Sequence, residues 1–256
     1  MKATAQAWTE NESPVLLAKA RSSYTIGMDP HVALLHDMAG RIAMDAPLHQ
    51  VLADVVECIA SAVKCDSCFI YVLEQDHLVL RASKNPHPEA VDRLKLRLGS
   101  GITGWVAEHR QPVAIAKSAF EDRRFQTFNE LPEDRFEAFL SVPVLSRGKV
   151  VGVINLQNRT QRAYSDREIK LLAMIGFVIG SEVERARLES ENQLLSGRLE
   201  TRKTLERAKG ILQRDLKINE EDAYLILQRQ SQQRRKPMKE IAEAIILSHV
   251  VKSASL

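Results

Sequence analysis

The sequence predicts an α+β protein in three successive parts: an antiparallel-sheet domain with helices gathered at its ends, a coiled-coil linker helix, and a C-terminal all-α domain of three helices. Three observations lead there. Two pairs of strand-like runs, each joined by a tight turn, lie between Cys68 and Leu156. A helical stretch without proline then turns from apolar to Glu-, Arg- and Gln-rich while keeping a thin seam of leucines. From Thr201 onward the chain holds 12 Lys/Arg against 7 Asp/Glu, a net of +5, so the first 200 residues carry −2 of the total +3. Positive charge is concentrated in the last part.

A chain of 256 residues with 27% charged and 45% hydrophobic residues has the composition of a soluble globular protein with room for one sizeable core and a smaller module. No apolar run approaches the roughly 18 to 20 residues that cross a bilayer, and Met1 to Ser13 lacks the basic start and apolar segment of a secretory signal. A cytoplasmic location without a membrane partner is expected.

Residues 1–27, punctuated by Ser, Thr and Pro, are expected to form a loosely ordered tail. Val32, Leu35, Met38 and Ile42 mark a short helix, and Leu48, Val51, Leu52, Val55, Val56, Ile59 and Val63 mark the buried face of a longer one. Phe69–Leu73 and Leu78–Leu80 read as one hairpin; Ser141–Leu145 and Val150–Leu156 read as a second, turning about Arg147-Gly148. Ser165-Asp166-Arg167-Glu168 has the Ser-x-x-Glu form of a capping box at a helix start. Ile169, Leu172, Ala173, Ile175, Gly176 and Ile179 give that helix a sheet-packing face, and no proline interrupts it before Pro237.

Cys58, Cys65 and Cys68 are too few for an even-numbered disulfide framework. The CxxC spacing of Cys65 and Cys68 is compatible with metal or redox chemistry, but no second ligand pair stands nearby. Thiols packed where a helix gives way to a strand are the simpler reading, and no metal site is assigned.

Leu188, Asn192, Leu195 and Leu199 alternate by four and three residues, the seam of a parallel coiled coil with Asn192 as a register-setting polar position. Homodimerisation through these residues is expected; a single solvated linker helix is the alternative. Leu205, Ala208 and Leu212 continue the pattern out of phase, so the packing partner should change near Arg202.

Gly99-Ser100-Gly101-Ile102-Thr103-Gly104-Trp105-Val106-Ala107, Pro112-Val113, Phe139 to Val144 and Gly152 to Gln157 together resemble a GAF domain. The resemblance covers about residues 30 to 188 and places a GAF sensor domain at 28–185. The glycine run lacks the Lys-Ser/Thr pair of a phosphate-binding loop, so its glycines are read as permitting a tight turn before a short helix. By resemblance, a pocket between the sheet and that helix is lined by Phe69, Tyr71, Trp105, Phe128, Ser141, Val144 and Asn155, though each equally fits ordinary core. It would admit a small-molecule ligand or serve a signalling protein. All three cysteines lie too early for a bilin attachment, and Asn158-Arg159, Tyr164 and Asp166-Arg167-Glu168 echo a cyclic-nucleotide pattern only in part. With scattered histidines and no nucleophile elbow, no catalytic residue, no cofactor and no enzyme activity is read.

Ala208-Lys209-Gly210, Leu212, Ala223-Tyr224, Leu227, Arg229, Arg234-Arg235, Pro237 and Ile241-Ala242 resemble the ANTAR domain, the three-helix RNA-binding module of bacterial antitermination regulators. The resemblance assigns 204–256 to this module and 186–203 to the coiled-coil linker. Ser231-Gln232 departs from the family's small-residue-then-methionine pair, and Gln228 splits its leucine-arginine pair.

The residues support a helical module without the family name. Asn219 before Glu220-Glu221-Asp222 offers an N-cap with acids where the helix dipole favours them, and Pro237 suits a first-turn position. RNA hairpins pair a dense phosphate backbone with unstacked bases, and arginine serves both through its planar donors. The expected RNA-binding residues are Lys209, Arg229, Arg234 and Arg235, followed by Arg207 and Lys239. Tyr224 reads as core more readily than as a base-stacking platform.

The resemblance implies a dimeric, signal-responsive transcription antitermination regulator whose partners are RNA hairpins in nascent transcripts. The alternative is a protein-interaction module without direct nucleic-acid binding. A DNA-binding helical module ranks third, because Arg234-Arg235-Lys236-Pro237 offers no glycine-containing turn before a recognition helix.

Overall fold

The computed structural model describes residues 29–42, 46–84, 88–125 and 136–254; the expected tail at 1–27 and the expected pocket residue Phe128 lie outside them. The chain divides into two compact units, with the break between Ala186 and Arg187.

In the first unit, α1 (Pro30–Ile42) and α2 (Leu48–Val63) precede the sheet. The buried side chains of α2 include Val51, Leu52, Val55, Val56, Ile59 and Val63, the face read from its spacing. Lys64, left-handed at φ 48°, ends the helix and turns the chain into β1 (Ser67–Glu74). β2 (His77–Lys84), β3 (Lys95–Arg97), β4 (Val113–Ile115), β5 (Ala138–Ser146) and β6 (Lys149–Asn158) complete a six-stranded sheet in the order β3-β2-β1-β6-β5-β4. Every pairing is antiparallel. Both expected hairpins are present, and the β1–β6 pairing that joins them sets Phe69 opposite Asn155. The edge strands β3 and β4 have three residues each, too few to show a period of two.

Side chains alternate across this sheet. Cys68, Ile70 and Val72 of β1, Leu140, Val142 and Val144 of β5, and Ile154 and Leu156 of β6 pack with α2 in one core. Phe69, Tyr71, Phe139 and Val153 face the other way, onto α3 (Gly101–His109). Gly99 at φ 77° and Gly101 at φ 69° provide the turn that starts α3, in a backbone region costly to residues with a Cβ.

The helix α4 (Asp166–Leu216) is continuous over 51 residues. At its start the Glu168 carboxylate accepts from the Ser165 amide and hydroxyl, both at 2.8 Å, and the Glu168 amide donates back to Ser165 Oγ at 3.3 Å. The capping box is formed. Leu171, Leu172, Ile175, Ile179 and Val183 seat the helix on the α2 side of the sheet. Gly180 permits the closest approach, since a Cβ there would collide with the Leu145 carbonyl.

The second unit is three helices around a small core. The last turns of α4 pack with α5 (Glu220–Arg234) and α6 (Met238–Ala254) through Ala208, Leu227, Ile241 and Ala242, flanked by Leu205, Leu212, Met238, Ile245 and Ile246. Asn219 caps α5, its Oδ1 accepting from the Asp222 amide at 2.8 Å. The chain breaks α4 at Lys217, φ 56°, twenty residues before Pro237. Among the described residues no helix is long and apolar enough to cross a membrane.

Candidate functional site

On the α3 side of the sheet, Phe69 and Tyr71 are buried edge to face, their ring centroids 6.2 Å apart at 78°. Between them and α3 runs a buried polar chain. Ser141 Oγ donates to Asn155 Oδ1 at 2.7 Å, and Asn155 Nδ2 donates to Thr103 Oγ1 at 2.8 Å. This chain ties α3 to the central strands, and Thr103 is a member that spacing alone did not single out. Asn155 Nδ2 reaching Thr103 leaves both groups satisfied without solvent, as burial requires. Gln157, two residues along the same face, keeps its buried Oε1 without a hydrogen-bond partner, as does the Ser83 hydroxyl. A ligand on this face would find its unmet polar groups there.

One expected pocket residue is placed otherwise, and a second is covered by its neighbours. Val144 belongs to the opposite core, with α2 and α4, because it stands an odd number of residues from Ser141 in a strand whose side chains alternate. It does not line the α3 side. Trp105 is on that side, but His109 stacks on its indole at 4.1 Å and 12°, and the Arg124 guanidinium lies 4.8 Å from the ring centroid. Arg124 is itself held by Asp122, Nη2 to Oδ2 at 2.9 Å. That hydrogen bond holds the Asp122 carboxyl below its ordinary value.

The partial cyclic-nucleotide echo is occupied by structural bonds. Tyr164 OH donates to Asn158 Oδ1 at 2.8 Å, Asn158 Nδ2 donates to the Lys64 carbonyl at 3.3 Å, and Glu168 is the capping-box acid that also pairs with Arg162 at 2.5 Å. Just beyond Lys64, Cys65 is half-buried and Cys68 fully buried among the α2-side residues. Burial pushes the Cys68 thiol up, while hydrogen bonding to Cys68 draws Cys65 down.

In the helical unit the expected cations separate into two kinds. Arg207, Arg229 and Arg235 are exposed and form no ion pair among the described residues. Arg234 is exposed, its Nε donating to Gln230 Oε1 at 3.2 Å, and exposed Lys239 lies 3.8 Å from Glu243. Lys209 differs. Its side chain is 10% exposed and its ammonium sits between Glu206 at 2.9 Å and Glu220 at 2.6 Å. Hydrogen bonds to Glu220 and Glu206 raise its pKa, so this lysine fastens α4 to the start of α5 instead of facing solvent. Its partner Glu220 lies eleven residues away across a turn, where helical periodicity gives no signal. Tyr224 is not the core residue expected: its neighbour Ala223 is fully buried, whereas the tyrosine is 45% exposed and outside the core.

Arg235 ends α5 in a left-handed conformation, φ 51° and ψ 40°, with its amide donating to the Gln232 carbonyl at 3.3 Å and the Lys236 amide to the Ser231 carbonyl at 3.1 Å. That is the hydrogen-bond pattern of a Schellman end, with arginine where glycine is the usual residue. Along α4, Leu188, Leu195 and Leu199 are 46%, 50% and 59% exposed, and exposed Asn192 accepts from Ser196 Oγ at 3.3 Å.

The GAF domain model matches residues 45–184, more than half of the sequence. The chain belongs to the GAF family. An ANTAR domain follows it, matched over residues 193–246. The transcriptional regulatory protein PdtaR of Mycobacterium tuberculosis is 42% identical over 76 residues, which cover 30% of this chain and 37% of PdtaR. The GAF domain of a phosphoenolpyruvate-protein phosphotransferase from Coxiella burnetii superposes with a TM-score of 0.60 at 22% identity, covering 63% of this chain and 97% of that one. The corresponding Acinetobacter domain gives 0.59 at 27% identity, covering 63% and 96%. The sheet and α3 are thus the GAF domain, and the exposed arginines belong to the ANTAR module.

Proposed function

We propose that this chain is a transcription antitermination regulator that binds RNA hairpins as a homodimer through its ANTAR domain, under control of the GAF domain. The observation that carries the reading is the exposure of Arg207, Arg229 and Arg235 without ion-pair partners among the described residues, on a module held together by a small core of Ala208, Leu227, Ile241 and Ala242. Exposed guanidiniums retain all their donors for phosphate and base edges. Arg234 and Lys239 extend the same cationic surface, while Lys209 is assigned a structural role. Leu188, Asn192, Leu195 and Leu199 supply the dimer seam, and a dimer presenting two modules to paired hairpins gains strength from effective concentration. Hairpin binding would disfavour an overlapping terminator stem. The input is a small molecule or signalling protein at the α3 side of the GAF sheet, near Gln157 and Ser83. The protein is proposed to be cytoplasmic and regulatory, with no catalytic residue and no cofactor of its own.

Filter binding of the full chain to tandem-hairpin RNA and to duplex DNA across a salt series tests this. RNA binding that weakens steeply with salt, with duplex DNA bound poorly, is the expected result. Equal binding to both, or to neither, would overturn the reading.

A second reading, docking of a protein, is favoured by one observation. An apolar groove of about 470 Å³ opens between the three helices of the ANTAR module, and Leu247 and Val251 of α6 are 66% and 58% exposed. Under that reading, α6 substitutions would abolish function while RNA affinity stayed absent throughout.

A further inference from the structure

Residues 187–256 contain one Phe, Tyr or Trp: Tyr224. A small helical core ordinarily uses its largest apolar ring for burial, because aromatic side chains carry the greatest area. Here the core is assembled from Ala208, Leu227, Ile241 and Ala242, and the ring is left 45% exposed. Tyr224 makes no hydrogen bond or ring contact among the described residues, so its hydroxyl is uncommitted and nearly half of its surface is open to a ligand.

Its place along α5 gives that exposure a direction. Glu220, Glu221 and Asp222 form the first turn, beside Tyr224, whereas Arg229, Arg234 and Arg235 lie toward the other end. A phosphate backbone is repelled from the acidic end and drawn to the cationic one. A loop nucleotide whose phosphate is held toward the arginines can leave its base, the part without charge, at the tyrosine. Gln228 follows Tyr224 by one turn on the same face, about 6 Å along the axis, and supplies an amide able to meet a base edge.

We propose that Tyr224 is the base-stacking platform of the RNA-binding surface, taking one unpaired loop base on its exposed ring. The proposal rests on RNA binding by the ANTAR module. Sequence-specific recognition of hairpins relies on bases splayed from the loop and stacked on aromatic or guanidinium planes, and this ring is the one aromatic the module has.

The test uses the full chain and a tandem-hairpin RNA, with Tyr224→Phe, Tyr224→Leu and Tyr224→Ala compared across a salt series. Tyr224→Phe should bind like the parent. Tyr224→Leu and Tyr224→Ala should weaken binding about 10- to 100-fold, the loss of one stacked base. The slope of log affinity against log salt should not change, because no phosphate contact is removed. Helicity and thermal midpoint should also be unmoved, since the ring lies outside the core cluster. Parent-like affinity in Tyr224→Leu would overturn the proposal while leaving RNA binding by the module intact, and a reduced salt slope would overturn it by placing the residue at a phosphate. A parent chain that binds no hairpin RNA would overturn the proposed function, and this inference with it.

Discussion

Arg235 invites the most discriminating substitution. It holds φ 51° and ψ 40° at the end of α5, where a Cβ is crowded by the following carbonyl at a cost of roughly 1–2 kcal/mol. Arg235→Gly removes that cost. Glycine also enlarges the conformational freedom of the unfolded chain, offsetting about 0.5–1 kcal/mol. The two hydrogen bonds that close the helix end, Arg235 N to Gln232 O and Lys236 N to Ser231 O, are made by backbone groups and survive the change. The net expectation is a stabilisation of roughly 0.5–1 kcal/mol, or about 2–8 °C if the module unfolds as a small domain. Hydrogen exchange at the Leu227 and Ile241 amides reports the helical unit separately from the GAF domain. In the same variant RNA affinity should fall and the salt slope should drop by about one phosphate contact. An arginine kept in a strained position is thus read as serving a ligand at the expense of the fold. If Arg235→Gly exchanges faster than the parent, the strain argument is wrong. If its RNA affinity and salt slope equal the parent's, the guanidinium has no part in the site.

Lys209→Met should lower the thermal midpoint of the helical unit by releasing α4 from Glu220, yet leave the salt slope of RNA binding unchanged; a reduced slope would return Lys209 to the interface. Gly180→Ala should destabilise the GAF domain by about 1–3 kcal/mol in urea unfolding, because the methyl must push α4 off the Leu145 carbonyl. Partial burial pushes the Glu168 carboxyl up, but hydrogen bonds from Ser165 and the Arg162 guanidinium outweigh it and hold it below its ordinary value. A depressed carboxyl contributes stability in full above its unfolded pKa of about 4.3 and loses it as pH falls through the folded value. Glu168→Gln should therefore be less stable than the parent at pH 7, with the gap closing in acid. A gap that persists to low pH would locate the effect elsewhere.

Periodicity read the fold where one element's own residues decide it. The α2 face, the two hairpins and the Ser165–Glu168 cap are local patterns, and each is present. Face parity was also legible, since Ser141 and Val144 are three apart and cannot share one face of a regular strand. Lys209 and Tyr224 were not legible in this way, because their surroundings are set by neighbours across a turn. Nothing in the run Ala208-Lys209-Gly210 discloses that Glu220 closes over the ammonium, and nothing in Ala223-Tyr224 tells which of the two takes the core. The stack of His109 on Trp105 is an i, i+4 pair visible in the sequence, whereas the Arg124 cover comes from a separate loop. The buried chain Ser141–Asn155–Thr103 draws on β5, β6 and α3, so only the assembled sheet brings it together.

The central claim joins twofold assembly to hairpin recognition, and sedimentation equilibrium of the full chain with RNA measures both at once. RNA carrying two hairpins should hold two chains, and RNA carrying one should bind about 100-fold or more weakly, as linked sites require. A single chain on the two-hairpin RNA, or equal affinity for one hairpin and two, would contradict the account.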